Sequence, residues 1–215
     1  MKLRDSENIW VLASFLGITG LLAALILAVV SKLTEEPIRQ AGLRNELSMF
    51  KELNLPEFDS VNKTPFSVSG VEYTAALKDG KIVGYIAKSS TRSGYSGQMR
   101  ALTGLDTDGK ILAVQIVEHK ETPGLGAAVC ERKFQRTVFN LFKPRPSGLP
   151  PNAILDQFQG RAAGKNSSWK ITKDGGNFAF RTGATVTSRA VVEMVNAAAV
   201  NFKTAREHFS KGVEK

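Results

Sequence analysis

Four small residues, Thr182-Gly183-Ala184-Thr185, stand just ahead of a stretch from Ser188 to about His208 that is rich in Ala, Val and Met and holds neither Gly nor Pro. Such a stretch predicts a long helix. A hydroxyl-rich turn at its start offers free backbone amides and the positive end of the helix dipole, which together favour a bound phosphate. Gly183 and Ala184 leave the backbone open to close approach by another molecule. The plainer alternative is that Thr187 or Ser188 only caps the helix, and four residues alone do not decide between the two.

The second segment with chemical potential is Glu118-His119-Lys120-Glu121-Thr122-Pro123-Gly124-Leu125-Gly126. It reads as a strand-to-helix turn punctuated by Pro and Gly. As a metal site it is poor, because Glu118, His119 and Glu121 lack further histidine partners nearby. As a loop facing a planar cofactor it supplies polar groups for a ring edge and Leu125 for a ring face.

Composition narrows the chemistry further. The single cysteine, Cys130, excludes an intramolecular disulfide and any Cys-rich metal or iron–sulfur site, and His119 and His208 are the only histidines. Redox work would therefore need an organic cofactor. The net charge of +9 is scattered along the chain without a dense basic helix or interleaved aromatic platform, which points to a solvated basic surface rather than nucleic-acid binding.

The elements that must position these segments begin with an uncharged run of 22 residues, Ile9 to Val30, long enough as a helix to cross a hydrocarbon core of roughly 30 Å. It exceeds the usual h-region of a cleaved signal and predicts an uncleaved anchor over 9–31 after a short segment, 1–8. Lys2 and Arg4 on one side against Lys32, Arg39 and Arg44 on the other leave the orientation open. Glu36-Pro37 marks a boundary, and apolar residues from Ile38 to Leu53 at near-helical spacing predict a juxtamembrane helix within 32–56.

Residues 57–215 then read as one domain. Glu57 to Ser69 has loop composition. Asp79-Gly80 and Asp106-Thr107-Asp108-Gly109 predict two hairpins, joining Val71–Lys78 to Ile82–Ser89 and Met99–Leu105 to Ile111–Glu118, hence an antiparallel sheet of about four strands. A helix is expected from Ala127 to Phe142, ahead of Lys143-Pro144-Arg145-Pro146, with short strands at Ile154–Phe158 and Trp169–Thr172. The fold class is α+β: one transmembrane helix followed by a sheet with flanking helices.

Taken in order, Gly94-Tyr95-Ser96-Gly97, the Gly104-Leu105-Asp106 to Gly109 turn, His119 to Gly126 and Thr182 to Thr185, all after one N-terminal span, resemble the RnfG family, the G subunits of the Rnf electron-transport complex. The similarity extends to the related C subunit of the sodium-translocating NADH:quinone oxidoreductase, and a flavin-free membrane-anchored assembly or binding protein is the alternative of a different class. The resemblance implies a periplasmic FMN-binding domain on a single-pass anchor in the bacterial inner membrane. It implies a phosphoester between FMN and Thr185, made by a separate magnesium-dependent flavin transferase that uses FAD. It further implies that Thr182, Gly183 and Ala184 flank the attachment and that Glu121, Thr122, Gly124 and Leu125 contact the flavin. The chain would then be an electron-carrying subunit, in contact with membrane lipid and the other subunits of a complex coupling ferredoxin/NAD electron transfer to ion translocation, with no catalytic residue and no metal of its own. One departure stands out: the family's recognition pattern has an aspartate three residues before the first Ser/Thr, where this chain has Ala179, and Asp174 lies further upstream.

Overall fold

The computed structural model describes residues 5–62, 64–134, 148–164 and 169–213. The chain divides into two units, Met1–Ser48 and Met49–Lys215, each described by itself.

The described residues of the first unit belong to helix α1, Asp5–Lys51, which ends in the second. Within its segment Ile9–Pro37 an 18-residue window reaches a mean hydropathy of 2.5. Every large apolar side chain from Ile9 to Leu33 is exposed, so the helix is apolar all round, as suits lipid and not the core of a soluble domain. Three of its hydroxyls bond back to the helix: Ser14 donates to the Trp10 carbonyl, Thr19 to Phe15 and Leu16, and Thr34 to Val30 and Ser31. This N-terminal helix fits a single-pass membrane anchor. The break expected at Glu36-Pro37 is absent, and the helix runs through Pro37. One proline removes only one backbone donor, and the good helix formers on both sides carry the helix past it.

The second unit begins at Met49, where the last turn of α1 meets the sheet. Glu52 and Leu53 close that turn onto Met49 and Phe50 through their backbone amides, and Asn54, with φ 55, turns the chain out of the helix. The sheet is antiparallel: β1 (Ser60–Val61), β2 (Phe66–Val68), β3 (Val71–Lys78), β4 (Lys81–Gly94), β5 (Gly97–Leu105) and β6 (Ile111–Glu118). Its order is β1-β3-β4-β5-β6, with β2 also on β3. Both predicted hairpins are present, with Lys78 opposite Lys81 and Leu105 opposite Ile111. The stretch read as loop holds β1 and β2, whose two and three residues are too short to generate a visible alternation.

The two faces of the sheet are covered differently. Helix α4, Thr185–Val213, lays Ala190, Val191, Met194, Val195, Ala198, Phe202, Ala205 and Phe209 over one face, a spacing of three and four that makes one apolar stripe. The Tyr73 hydroxyl donates to the Ala198 carbonyl at 2.5 Å from within that interface. Phe50, Leu53 and Phe58 pack on Ala76, Ile86, Leu102 and Ala113 of the opposite face.

Two short helices replace longer expectations. Helix α2 is only Ala127–Cys130, after which Glu131 is extended and the chain is not helical through Phe134; residues 135–142 of the helix expected to Phe142, and the segment 143–146, lie outside the described residues. The Asn152 amide ends α2 by donating to the carbonyls of Val129 and Glu131. Its carbonyl meanwhile accepts from Ile154 and Leu155, so Asn152 caps helix α3, Ala153–Asp156. The strand expected at Ile154–Phe158 is thus mostly helix, its local β tendency overridden by this cap. Trp169–Thr172 contributes an isolated bridge from Ile171 to Phe178, followed by a 3-10 turn, Thr172–Asp174. Phe158 stacks on Phe178 at 4.7 Å with Trp169 beside both, which anchors the chain just before the Thr182–Thr185 turn.

Candidate functional site

Three segments converge at one end of the sheet. The first is the tip of the β4–β5 hairpin, where Gly94 and Gly97 pair across Tyr95 and Ser96. The second is the loop after β6, folded by hydrogen bonds from the Leu125 and Ala127 amides to the Thr122 carbonyl. The third is the turn into α4, in which the Ala184 amide donates to the Arg181 carbonyl. Gly183 has φ +83, a conformation that side-chain-bearing residues rarely adopt.

Glu121 ties the three together. It is 6% exposed. One carboxylate oxygen accepts the Ser96 amide of the hairpin tip at 3.1 Å, and the other accepts the Thr187 hydroxyl of α4 at 2.8 Å. Its own amide donates to His119 Nδ1 at 3.3 Å. Among the described residues it has no ion-pair partner; the donors that meet its carboxylate are the Ser96 amide and the Thr187 hydroxyl. Gly126 is required beside it: a Cβ there would collide with the Glu121 carboxylate and lie 2.8 Å from Thr187 Oγ1.

These contacts exclude the simple cap. The Thr187 hydroxyl is spent on Glu121, while the buried Ser188 hydroxyl donates back to the Ala184 carbonyl at 2.9 Å and accepts the Arg181 amide at 3.3 Å. The helix starts at Thr185, three residues earlier than expected. Its first amides, those of Thr185, Val186 and Thr187, find no backbone acceptor in the preceding turn.

The convergence leaves a cleft of about 460 Å³ lined by Tyr95, Glu121, Thr122, Leu125, Gly126 and residues 183–187. The volume lies within the roughly 300–1,000 Å³ of sites that take cofactor-sized ligands. Tyr95, Leu125 and Val186 are 73%, 48% and 41% exposed, and they are the exposed large hydrophobic side chains among the described residues of the second unit. All three line this one cleft. Exposed apolar walls beside helix-start amides that lack a backbone acceptor suit a flat apolar ring joined to an anionic group.

Of the residues expected at the site, Glu121, Thr122, Leu125, Gly183, Ala184 and Thr185 line the cleft. Thr182 and Gly124 do not; both are exposed beside it, and the Arg181 guanidinium reaches the Gly124 carbonyl at 3.4 Å, joining their two segments. Tyr95, Gly126, Val186 and Thr187 join the lining without having been expected as contacts. An aromatic flanked by glycines at a hairpin tip is the signal available for Tyr95, whereas the part played by Thr187 depends on a partner 66 residues away.

The rest of the neighbourhood is structurally occupied. Glu118 pairs with Arg100 at 3.1 Å, and His119 faces Glu131 at 3.9 Å. Cys130 is buried, its thiol pushed up to about 12 by desolvation and by the charges of Glu121 and Glu131, so it is not a nucleophile here. At the departure from the family pattern, the backbone of Ala179 is held by Gln157, which accepts its amide at 2.6 Å and donates to its carbonyl at 3.1 Å. Asp174 is gripped by Arg189 of α4 through two contacts of 2.6 Å.

Residues 94–200 match the FMN-binding domain family, a span that contains all three converging segments. The chain is similar to the G subunit of the ion-translocating oxidoreductase complex of Haemophilus influenzae, 37% identical over 58% of this chain and 53% of the relative. It is 38% identical to the corresponding protein of Photorhabdus laumondii over 63% of this chain and 57% of the relative. With that of Salmonella typhi the identity is 32% over 85% of this chain and 82% of the relative. The matched part thus spans little more than half the length of the first two relatives and most of the third.

Proposed function

The chain belongs to the family of G subunits of the ion-translocating oxidoreductase complex, and from that premise we propose that it is a flavoprotein subunit that carries FMN in the cleft and relays electrons within a membrane-bound complex. The single observation behind this reading is the coincidence of Thr185, the first residue of a 29-residue helix, with the cleft that gathers Tyr95, Leu125 and Val186. The acceptor-free first amides of α4 suit the phosphate, the apolar walls suit the isoalloxazine, and Gly183 lets the cofactor pass close to the backbone.

Thr185 supplies the attachment oxygen. Its Oγ–P bond forms as the pyrophosphate bond of FAD breaks, AMP departs, and a base of the separate flavin transferase takes the hydroxyl proton. Thr185 is half-buried at the cleft, within reach of a second enzyme. When bound, the flavin supplies one- and two-electron transfer; Glu121, Thr122, Leu125, Gly183 and Ala184 line the cleft that positions and shields it. Gln157 keeps the Ala179 backbone in place, so the altered recognition residue bears on the rate of modification and not on the shape of the turn.

On this reading the second unit faces the periplasm from a bacterial inner-membrane complex of the Rnf type, in which electron transfer between ferredoxin and NAD is coupled to ion translocation through the other subunits. Intact-mass measurement of the full chain coexpressed with a flavin transferase tests the cofactor reading: one FMN adduct is expected, and its absence would leave a flavin-free assembly protein. Copurification with a quinone-reductase core instead of an iron–sulfur partner would move the chain to the related quinone-reductase system. Protease added to spheroplasts should cut the domain after Val30, and protection would reverse the topology.

A further inference from the structure

Glu121 is an unusual group to find in the wall of a cofactor cleft. It is more than nine-tenths buried, yet no cation faces it among the described residues: its oxygens meet the neutral Ser96 amide and the neutral Thr187 hydroxyl. Lys120, its neighbour in sequence, is exposed, and His119 offers it only an acceptor nitrogen for the backbone amide. What the buried carboxylate meets is two neutral donors and the first turn of α4, so among the described residues no counter-ion cancels its charge at the wall of the cleft. Both oxygens are already committed within the protein, which sets the residue apart from an ordinary cofactor contact.

We propose that Glu121 is an electrostatic and positioning residue: it locks the hairpin tip, the 119–126 loop and the start of α4 into one site, and its fixed negative charge there holds the reduction potential of the flavin low. The proposal rests on the reading of the cleft as a flavin site. Electrons delivered to the ring add negative charge close to the carboxylate, and the repulsion opposes reduction in a setting poorly screened by water. Glu121→Gln removes the charge while keeping the shape, because its carbonyl can still accept one donor and the Thr187 hydroxyl can turn to accept the new amide.

The test uses the full chain in detergent with its flavin attached, titrated against a reference dye at pH 8, so that the potential is read from the flavin-bearing molecules whatever their fraction. Glu121→Gln should raise the ratio of reduced to oxidised flavin at a fixed applied potential at least tenfold, equivalent to roughly 30 mV for a two-electron couple. An unchanged or lowered ratio overturns the electrostatic role and leaves the cofactor reading standing; a wild-type chain without flavin removes the cofactor reading and this inference with it. Should Glu121→Gln fail to melt cooperatively, Glu121→Asp and Glu121→Asn give the same comparison at a shorter reach, and equal potentials in that pair overturn the proposal. In chain prepared without the transferase, Glu121→Ala should lower the melting midpoint while Glu121→Gln holds it near wild type. A wild-type midpoint for Glu121→Ala would overturn the locking role.

Discussion

Replacing Gly126 with alanine sets two effects of opposite sign against each other. Gly126 has φ −62 and ψ −38, ordinary helical values, so backbone propensity alone favours Ala by about 0.5–1 kcal/mol. The new Cβ, however, would lie 2.8 Å from Thr187 Oγ1 and 2.9 Å from Glu121 Cβ, and closer still to the Glu121 carboxylate. Overpacking of this kind costs about 1–3 kcal/mol, and moving Glu121 aside sacrifices a charge-assisted hydrogen bond worth about 1.5–3 kcal/mol. Steric and polar losses win: taken at the low end of both ranges they leave a net destabilisation of about 2 kcal/mol. In a domain of this size that lowers the melting temperature by about 4–8 °C. Near-UV circular dichroism of the full chain in detergent reads the transition. A melting temperature equal to or above wild type would mean that Glu121 yields freely and that the three segments are not pinned through it.

Arg132, whose side chain is 5% exposed, donates to the Val114 and Pro150 carbonyls and to Asp156, so Arg132→Ala should destabilise the domain by about 2–4 kcal/mol, less than the loss of a fully buried pair because Asp156 is partly solvated; the urea midpoint of the full chain checks this. The Asp174 carboxyl is held below its ordinary value, chiefly by the Arg189 hydrogen bonds and then by the Arg189, Lys173 and Lys170 charges. A depressed folded-state value contributes stability above the unfolded value, about 3.9, and loses it as pH falls through the folded one. The stability difference between wild type and Asp174→Asn should therefore hold between pH 7 and 5 and close in stronger acid.

What the sequence discloses and what it withholds divides along the range of the interactions involved. Asp79-Gly80 and the Asp106–Gly109 turn declare both central hairpins because a tight turn between alternating strands is a local signal. The apolar run from Ile9 likewise needs no partner to be read. Helix α2, by contrast, is expected from its own residues to extend to Phe142, but it is ended at Cys130 by Asn152, more than twenty residues downstream in the chain. The start of α4 reads three residues late because Thr187 and Ser188 have the composition of caps; only the fold reveals that one is bonded to Glu121 and the other to its own helix. At the site, the Thr182–Thr185 turn and the 119–126 loop are legible as separate candidates. That Glu121 joins them to the hairpin tip, and that Tyr95 shares their cleft, follows from strand pairing that brings distant residues together.

The central claim is that Thr185 holds FMN. Peptide mapping of the full chain coexpressed with a flavin transferase, in wild-type, Thr185→Ala and Thr182→Ala forms, addresses it directly. The flavin-bearing peptide should place the phosphoester on Thr185, vanish in Thr185→Ala and persist in Thr182→Ala. An adduct that survives Thr185→Ala, or disappears only with Thr182, would contradict the account.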